Sequence, residues 1–481
     1  MAQTHAPPAD PAPPASPRPS PRRGLRRARA VLRHWLGSGT PGRIRLSALA
    51  SMVAAGLLFA AAAAAMSQVR EGFQVIGHGA GPKVAASSDL YLALSDMDAQ
   101  TANILLVGDT DQAEEAERIY DRRRGEAGAA LVQAAQLAAG SGAEERNVRE
   151  VIDGLGAYER LVTEARAAGT GDGEPSDEAV ARYREATDLM RLELLPKAYN
   201  LTLDSGATVR ATYEEKRAAV LAGAGWTAAA GLVAVAALGW HHRNLATRFR
   251  RRINPAVAAA AAGALLLAGT AAGTLLLQAE RMREAKEDGL DSVLALSRAH
   301  AISTGMHGDQ SRFLLDTGQA DTYEQVYLDG ARSVVFVEGE DLAAYTAQLE
   351  ESVGAYPDAE LLGLLGLEAA EPSQDGGRER AADVLDAYLA FQQADAELRE
   401  IARDGSHAEA VEFRMGEAEE AYAAYESALA DLTRMHADAY DGAVAAGDRG
   451  LRGWGWILPA AVLAVAALAV AGAYPRLAEY R

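Results

Sequence analysis

The chain has 481 residues, with 66 acidic and 47 basic side chains, a net charge of −19 and no cysteine. The lack of cysteine excludes disulfides, thiolate metal sites and thiol redox chemistry, so every domain must be stable through packing alone. The acidic balance argues against a nucleic-acid partner.

Four stretches without a charged residue divide the chain. Each has roughly 20 residues, which is enough to cross about 30 Å of hydrocarbon as a helix. The small residues Ala60–Ala65 also fit a cleaved signal peptide, but the apolar core there has full spanning length, so we favour an uncut span. We predict membrane-spanning helices over residues 46–66, 219–240, 256–277 and 453–474.

Charge differs sharply between the segments that these spans separate. Residues 1–45 carry nine Arg and one Asp, and residues 241–255 carry five Arg and no acid. Residues 67–218 have a net charge of −10, and residues 278–450 have a net charge of −24. Because short Arg-rich segments stay in the cytoplasm, we predict a multi-pass plasma-membrane protein. Its cytoplasmic parts are then residues 1–45, 241–255 and 475–481, and its extracytoplasmic parts are residues 67–218 and 278–452.

The N-terminal segment, residues 1–45, begins with eight prolines between Pro7 and Pro21 and has few apolar residues. This composition predicts disorder. The following run Arg22–Arg33 is typical of an anchor near anionic membrane lipid, with docking of a cytoplasmic protein as the alternative.

Both long outer segments predict bundles of four helices. In residues 67–218, Gly-rich breaks separate helices whose composition is dominated by Ala, Leu, Glu and Arg. The fourth helix contains Pro196, which should bend it, and runs on into the second span. Residues 278–452 repeat this plan, which suggests a duplication. We therefore predict an all-α integral membrane protein with two independent extracytoplasmic four-helix-bundle sensor modules in tandem.

Catalytic and metal-binding signatures are lacking in the sequence: it has no G-x-x-x-x-G-K-[ST], H-E-x-x-H or G-x-S-x-G motif. His300 and His307 are two helical turns apart, about 10 Å along the axis, which is too far to share a metal. We predict a protein that is not an enzyme and that uses no cofactor or metal.

Polar residues on the first helix of each module are the candidate contacts for a ligand or an outer partner. A solvated helix surface is the alternative, because most charged helix faces are exposed. Arg312 is the better ligand candidate, since a guanidinium can hold a carboxylate bidentately, although the charge of its own segment opposes anion capture. The candidates are Asp96, Asp98, Asn103, Asp309 and Arg312.

The connector between the second and third spans holds the densest basic cluster on the predicted inner side. A role in fixing the membrane topology explains this cluster by itself. The connector is also the predicted inner link between the two modules, so it is a candidate contact for a cytoplasmic partner. The candidate residues are Arg248, Arg250, Arg251 and Arg252.

Two short segments resemble a known family: Asp89–Gln100 (DLYLALSDMDAQ) with Asn103, and Asp309–Asp316 (DQSRFLLD). They are similar to actinobacterial four-span signalling proteins such as the one that couples a glutamate/aspartate-binding lipoprotein outside the cell to the soluble protein kinase G inside. The four-span layout matches over residues 44–475. The resemblance implies two partners, an extracytoplasmic solute-binding lipoprotein and a cytoplasmic Ser/Thr protein kinase, and no enzymatic activity.

These observations favour a transmembrane signal relay that senses such a lipoprotein and passes the signal to the kinase, because the inner segments are too short for an output domain. One alternative is a receptor that binds a small molecule directly in a helical bundle, and another is a structural membrane scaffold. A transporter is less favoured, since its spans usually hold an ionisable residue. Membrane lipid is a further expected partner, and a homodimer is left open.

Overall fold

The computed structural model of the protein describes residues 40–108, 110–137, 142–171, 174–249, 254–370, 376–405 and 407–478. Almost all of these residues are helical, which confirms the predicted all-α class. The strands within this part of the chain are one two-residue antiparallel pair, Thr170–Gly171 with Glu174–Pro175.

Helices follow one another along the chain with short connections. The first half has α1 (Thr40–Val75), α2 (Gly81–Val107), α3 (Asp111–Leu137), α4 (Gly142–Ala168), α5 (Asp177–Leu189) and α6 (Leu195–Phe249). The second half has α7 (Pro255–Arg283), α8 (Ser292–Leu315), α9 (Ala320–Val334), α10 (Leu342–Gly354), α11 (Gly363–Ala370), α12 (Gly377–Arg403), α13 (His407–Met415), α14 (Glu417–Leu451) and α15 (Trp454–Ala478).

Wider π-helical turns join three pairs of these helices without a break, at Ile76–Ala80, Met190–Leu194 and Glu284–Asp291. The second has a clear cause in the sequence. Pro196 has no backbone N–H and cannot make the hydrogen bond that an α-helix requires there. The N–H of Leu195 instead donates to the carbonyl of Met190, five residues back. The irregularity predicted at Pro196 therefore takes the form of a π-turn just before it.

The chain divides into two compact units, which are described separately. The apolar unit contains Met1–Ala63, described from residue 40, together with Ala224–Ala272 and Gly453–Arg481. The polar unit contains Ala64–Gly223 and Gly273–Arg452.

The apolar unit contains the apolar parts of α1, α6, α7 and α15. These are the four described helical runs that are long and apolar enough to cross a membrane, as predicted. Their backbones approach closely through small residues: a Cβ on Gly231 would lie only 2.2 Å from that of Ala268. A hydrogen bond of 2.8 Å also joins Ser47 to His241. Small residues and side-chain hydrogen bonds are the usual contacts between helices in lipid.

Each half of the polar unit has an apolar core, and a further cluster, with Leu106 and Leu315, takes residues from both halves. The core of the first half lies among α2–α6 and buries Leu90, Leu94 and Met97. The core of the second half lies among α8–α14 and is more aromatic, with Phe391 stacked on Tyr425 at 5.9 Å between ring centroids. Aromatic pairs of this kind add to the stabilisation from buried area.

The second half has more helices than the four predicted. One of the additional breaks lies between α9, which ends at Val334, and α10, which begins at Leu342. The chain is extended at Val335, and Asp341 caps α10 by accepting a hydrogen bond from the N–H of Ala344. A cluster of β-branched residues followed by a glycine and a capping aspartate favours such a break. The sequence analysis missed this break because the helical pattern of apolar residues continues across it.

The two halves of the polar unit are not independent bundles, which corrects the prediction. α2 packs along α8, and the two helices approach closely at Gly308, where a Cβ would lie 2.9 Å from that of Ala99. The two halves pack together because α2 and α8 each carry buried polar side chains whose hydrogen-bond partners lie in the other half.

Substitution of two helical glycines by alanine should have opposite effects on stability. At exposed Gly125, alanine meets no atom within 4 Å and should stabilise the protein by about 0.5–1 kcal/mol through helix propensity. At Gly308, alanine must push α2 and α8 apart and should destabilise it by about 1–3 kcal/mol. Thermal unfolding of the purified full chain measures both variants. An equal gain at the two positions would contradict the close packing of α2 on α8.

Candidate functional site

All five predicted outer candidates lie at the interface of α2 and α8. They are not on a solvated surface, so that alternative is wrong for them. Their exposed fractions are 7% for Asp96, 1% for Asp98, 2% for Asn103, 3% for Asp309 and 2% for Arg312. The sequence placed three of them on one helix and two on another, and the structure brings the two sets together.

Arg312 is the centre of this interface. Its Nη2 lies 2.7 Å from the Oδ2 of Asp98 on α2, and its Nη1 lies 2.6 Å from the Oδ1 of Asp309 on α8. Its Nε donates to the hydroxyl of Tyr183 on α5 at 2.9 Å. Burial acts to lower the pKa of Arg312, but the neighbouring acidic groups outweigh it and hold this pKa well above its ordinary value. The guanidinium is therefore charged and fully paired.

Asp98 accepts hydrogen bonds from three helices besides its own. Thr187 on α5 donates to its Oδ2 at 2.6 Å, and Tyr158 on α4 donates to its Oδ1 at 3.2 Å. Burial, and then the charge of Asp98, raise the pKa of Tyr158, so its hydroxyl remains a donor. With Arg312 of α8, these groups satisfy a carboxylate that water does not reach.

A second polar chain runs from α3 across α2 to the other half. Arg123 on α3 donates to Asp96 at 2.6 Å, and Gln100 donates to the same carboxylate at 3.0 Å. The amide of Asn103 donates to Gln100 at 3.2 Å, and its oxygen accepts from Ser311 on α8 at 2.6 Å. Asp96 and Asn103 therefore belong to one hydrogen-bonded path between the halves.

α5 and the π-turn that follows it add charged contacts that the sequence analysis missed. Arg184 donates two hydrogen bonds to the carboxylate of Asp316, from Nε at 2.9 Å and from Nη2 at 2.8 Å. The Nη1 of Arg191 lies 3.4 Å from the Oδ1 of Asp309. Tyr183 and Thr187, one turn apart on α5, were also missed. Their spacing fits one helix face, but tyrosine and threonine on a helix do not by themselves indicate a buried carboxylate. We use the name interface network for the group of Asp98, Tyr158, Tyr183, Thr187, Asp309 and Arg312.

Two adjoining cavities lie beside the interface network, between α2 and α6 of the first half and α8 of the second. Their volumes are about 480 and 360 Å³, and both have Tyr91, Tyr199 and Arg298 in their walls. The smaller cavity also reaches Asp309 and Arg312. We call the two cavities together the interface groove. Within the described part of the chain, no cluster of His, Asp and Glu has the arrangement of a metal site.

The predicted inner contacts are only partly covered by the structure. Arg248 lies in the last turn of α6, whereas Arg250, Arg251 and Arg252 lie outside the described residues. The N-terminal run Arg22–Arg33 also lies outside them. Contact of these residues with a cytoplasmic partner therefore stays a prediction.

Comparison with known families gives one match. Residues 72–214 match the model of a family described as the actinobacterial sensor domain. The matched residues include α2–α5 and the π-turn after α5, and thus the first-half side of the interface network. Among curated proteins, the chain matches none. The match indicates a sensor protein of actinobacteria, which confirms the resemblance at that level.

Replacing Arg312 by Met should destabilise the protein strongly, because two buried carboxylates lose their cation. We expect a loss of about 3–5 kcal/mol in the free energy of unfolding. The matched control is Arg434→Met, since Arg434 and its partner Asp431 are both well exposed and contribute about 0–1 kcal/mol. Chemical denaturation of the purified variants measures both values. Equal losses in the two variants would contradict the central place of Arg312.

Proposed function

We propose that the protein is a transmembrane signal relay of the plasma membrane. In this proposal the polar unit is extracytoplasmic and senses an amino-acid-binding lipoprotein, and the signal passes to a cytoplasmic Ser/Thr protein kinase. The observation that carries the proposal is the match of residues 72–214 to a sensor-domain family, in a chain with four helices able to span a membrane. The partners follow from the resemblance of the short α2 and α8 segments.

The charge distribution supports the orientation. The short segments at residues 1–45 and 241–255 are strongly basic, while the long segments of the polar unit are acidic. Positive residues in short segments are retained in the cytoplasm, so both termini and the connector face inward in this proposal. A large acidic surface also suits an outer side that does not adhere to anionic lipid.

The irregular helices favour a signalling role over a scaffold. α1, α6 and α7 each contain residues of both units. Two of them adjoin a π-turn at the polar side, at residues 76–80 and 284–291, and α6 follows the π-turn at residues 190–194. Single π-turns inside helices are frequent at functional sites, whereas a rigid scaffold has no need of them. Local changes of register at these turns are a physical means of altering helix position.

The inner output is proposed to use the basic connector. Arg248, Arg250, Arg251 and Arg252 would contact the kinase, with no enzymatic activity in the chain itself. The connector joins α6 to α7 along the chain, so any displacement of one of these helices relative to the other acts directly on it. A homodimer would place two such connectors side by side and is compatible with this role.

The orientation can be tested with a reporter that is active only outside the cytoplasm. Alkaline phosphatase fused after Arg481 should be inactive, and the same enzyme inserted after Gly171, between the two short strands, should be active. The reverse pattern would refute the proposed topology and with it the relay.

The kinase contact can be tested by affinity recovery from actinobacterial cells. Replacing Arg250, Arg251 and Arg252 together by Gln should lower recovery of a Ser/Thr kinase about 10-fold or more, since each charged contact contributes about 1 kcal/mol or more. Arg243 and Arg248 remain to hold the topology. The control replaces three arginines of the run Arg22–Arg33 by Gln.

Unchanged recovery in the connector variant, with loss in the control, would move the docking site to the N-terminal segment. Recovery of the outer lipoprotein alone, without any kinase, would refute the part of the proposal that concerns a cytoplasmic kinase.

A further inference from the structure

We propose that the interface groove is a binding site for a small organic carboxylate with an apolar body, held by Arg298 and Tyr91. This inference goes beyond the relay, because it concerns a ligand of the chain itself and does not depend on either partner protein.

The size and position of the interface groove suit a small molecule. Binding pockets for small ligands usually have about 300–1,000 Å³, are mostly apolar and hold a few polar groups. The two cavities of about 480 and 360 Å³ fall in this range and adjoin at shared residues. They lie between the two halves of the polar unit, so a ligand there would contact both α2 and α8.

The guanidinium of Arg298 is available to bind an anion. Its guanidinium lies over the ring of Tyr199, 4.6 Å from the centroid. Unlike Arg312 and Arg191, it has no carboxylate partner among the residues that the structure describes. A guanidinium stacked on an aromatic ring keeps its N–H groups free, and these match the two oxygens of a carboxylate.

Tyr91 supplies a second donor at the same place. Its ring lies 6.1 Å from that of Tyr199, and it lines both cavities. Burial raises the pKa of Tyr91, while nearby Arg298 and Arg191 act in the opposite direction. The hydroxyl therefore stays protonated and has two guanidiniums close to it. A carboxylate at this point would accept hydrogen bonds from Arg298 and Tyr91 together.

The charged groups that face the groove balance one another except for Arg298, which leaves one excess positive charge there. Asp98 and Asp309 are offset by Arg312 and Arg191, and Asp291 is paired with Lys286 at 2.5 Å. In the larger cavity, Asp204 and Arg210 have opposite charges. The net acidity of the polar unit does not prevent anion binding here, because surface charges are screened beyond about 8 Å at physiological salt.

The remaining walls select an organic ligand over an inorganic ion. In the smaller cavity Ile302, Met306 and Val326 provide apolar contacts next to Tyr91 and Arg298. A carboxylate whose head lies at Arg298 can bury its hydrocarbon part there at about 25 cal/mol per Å². Phosphate would leave this surface unused, and an uncharged analogue would leave Arg298 without a partner.

The test is binding to the purified full chain in lipid nanodiscs, measured by calorimetry and by the shift of Tm. The probes are phenylacetate, 3-methylbutanoate and L-phenylalanine, with benzyl alcohol and inorganic phosphate as comparisons. At least one carboxylate should bind and raise Tm, and the two comparison compounds should not. Arg298→Gln should weaken binding about 10- to 100-fold and Tyr91→Phe about 3- to 10-fold, in line with hydrogen bonds to a charged group.

The controls separate binding from folding. Arg298 is exposed and makes no ion pair among the described residues, so Arg298→Gln should keep the helical circular dichroism and the Tm of the unliganded protein. Arg434→Gln, at an exposed pair remote from the groove lining, should leave binding unchanged. Arg298→Lys retains the charge without the planar fork and should bind with intermediate strength.

Three results would overturn the inference: no binding of any of the three carboxylates at millimolar concentration, equal binding in the wild type and Arg298→Gln, or binding of phosphate as strong as that of the carboxylates. None of these results bears on the orientation of the chain or on recovery of a kinase, so they leave the proposed relay standing.

Discussion

The contact between the two halves of the polar unit depends on a buried ion pair between Arg312 and Asp98. Arg312 and Asp98 come from different halves of the sequence, and each side chain is only 2% exposed. A buried ion pair adds little net stability over an apolar pair, but loss of one partner is costly because the other charge stays buried. Because separation of the halves would leave each charge without its partner, we infer that the pair favours this packing of α2 on α8 over other registers. The hydroxyls of Tyr158, Tyr183 and Thr187 complete the hydrogen bonding that this burial requires.

Much of this could be predicted from the sequence because it depends on local patterns. The four apolar helices follow from charge-free stretches, and the helical class follows from composition. The five outer candidates were selected as polar residues on the first helix of each half, and the structure places all five at the interface of α2 and α8. Their contact with a ligand or an outer partner stays a prediction. Their burial was not predicted, because a sequence shows which residues share a helix face but not which face of another helix meets it. The sequence analysis missed Tyr183 and Thr187 for the same reason.

The interface joins the two halves through ionic contacts of different length. Some of its ionic contacts between the halves are short, such as that of Arg312 with Asp98 at 2.7 Å, and others are long, such as that of Arg191 with Asp309 at 3.4 Å. A ligand or partner can shift an equilibrium only by its difference in affinity for two states. The long contact beside the groove is the place where a modest difference is easiest to supply. Couplings of about 1–3 kcal/mol are typical of allosteric proteins.

The limits of the sensor-domain match have a structural consequence. The matched residues, 72–214, contain Asp98 with Tyr158, Tyr183 and Thr187, but they do not contain Arg312. The neutral donors of the first half can hydrogen-bond the carboxylate, yet they cannot neutralise its charge in a buried site. In this chain the second half supplies that cation, together with Arg414, which donates to Asn103. The second half thus completes the electrostatics of the matched domain.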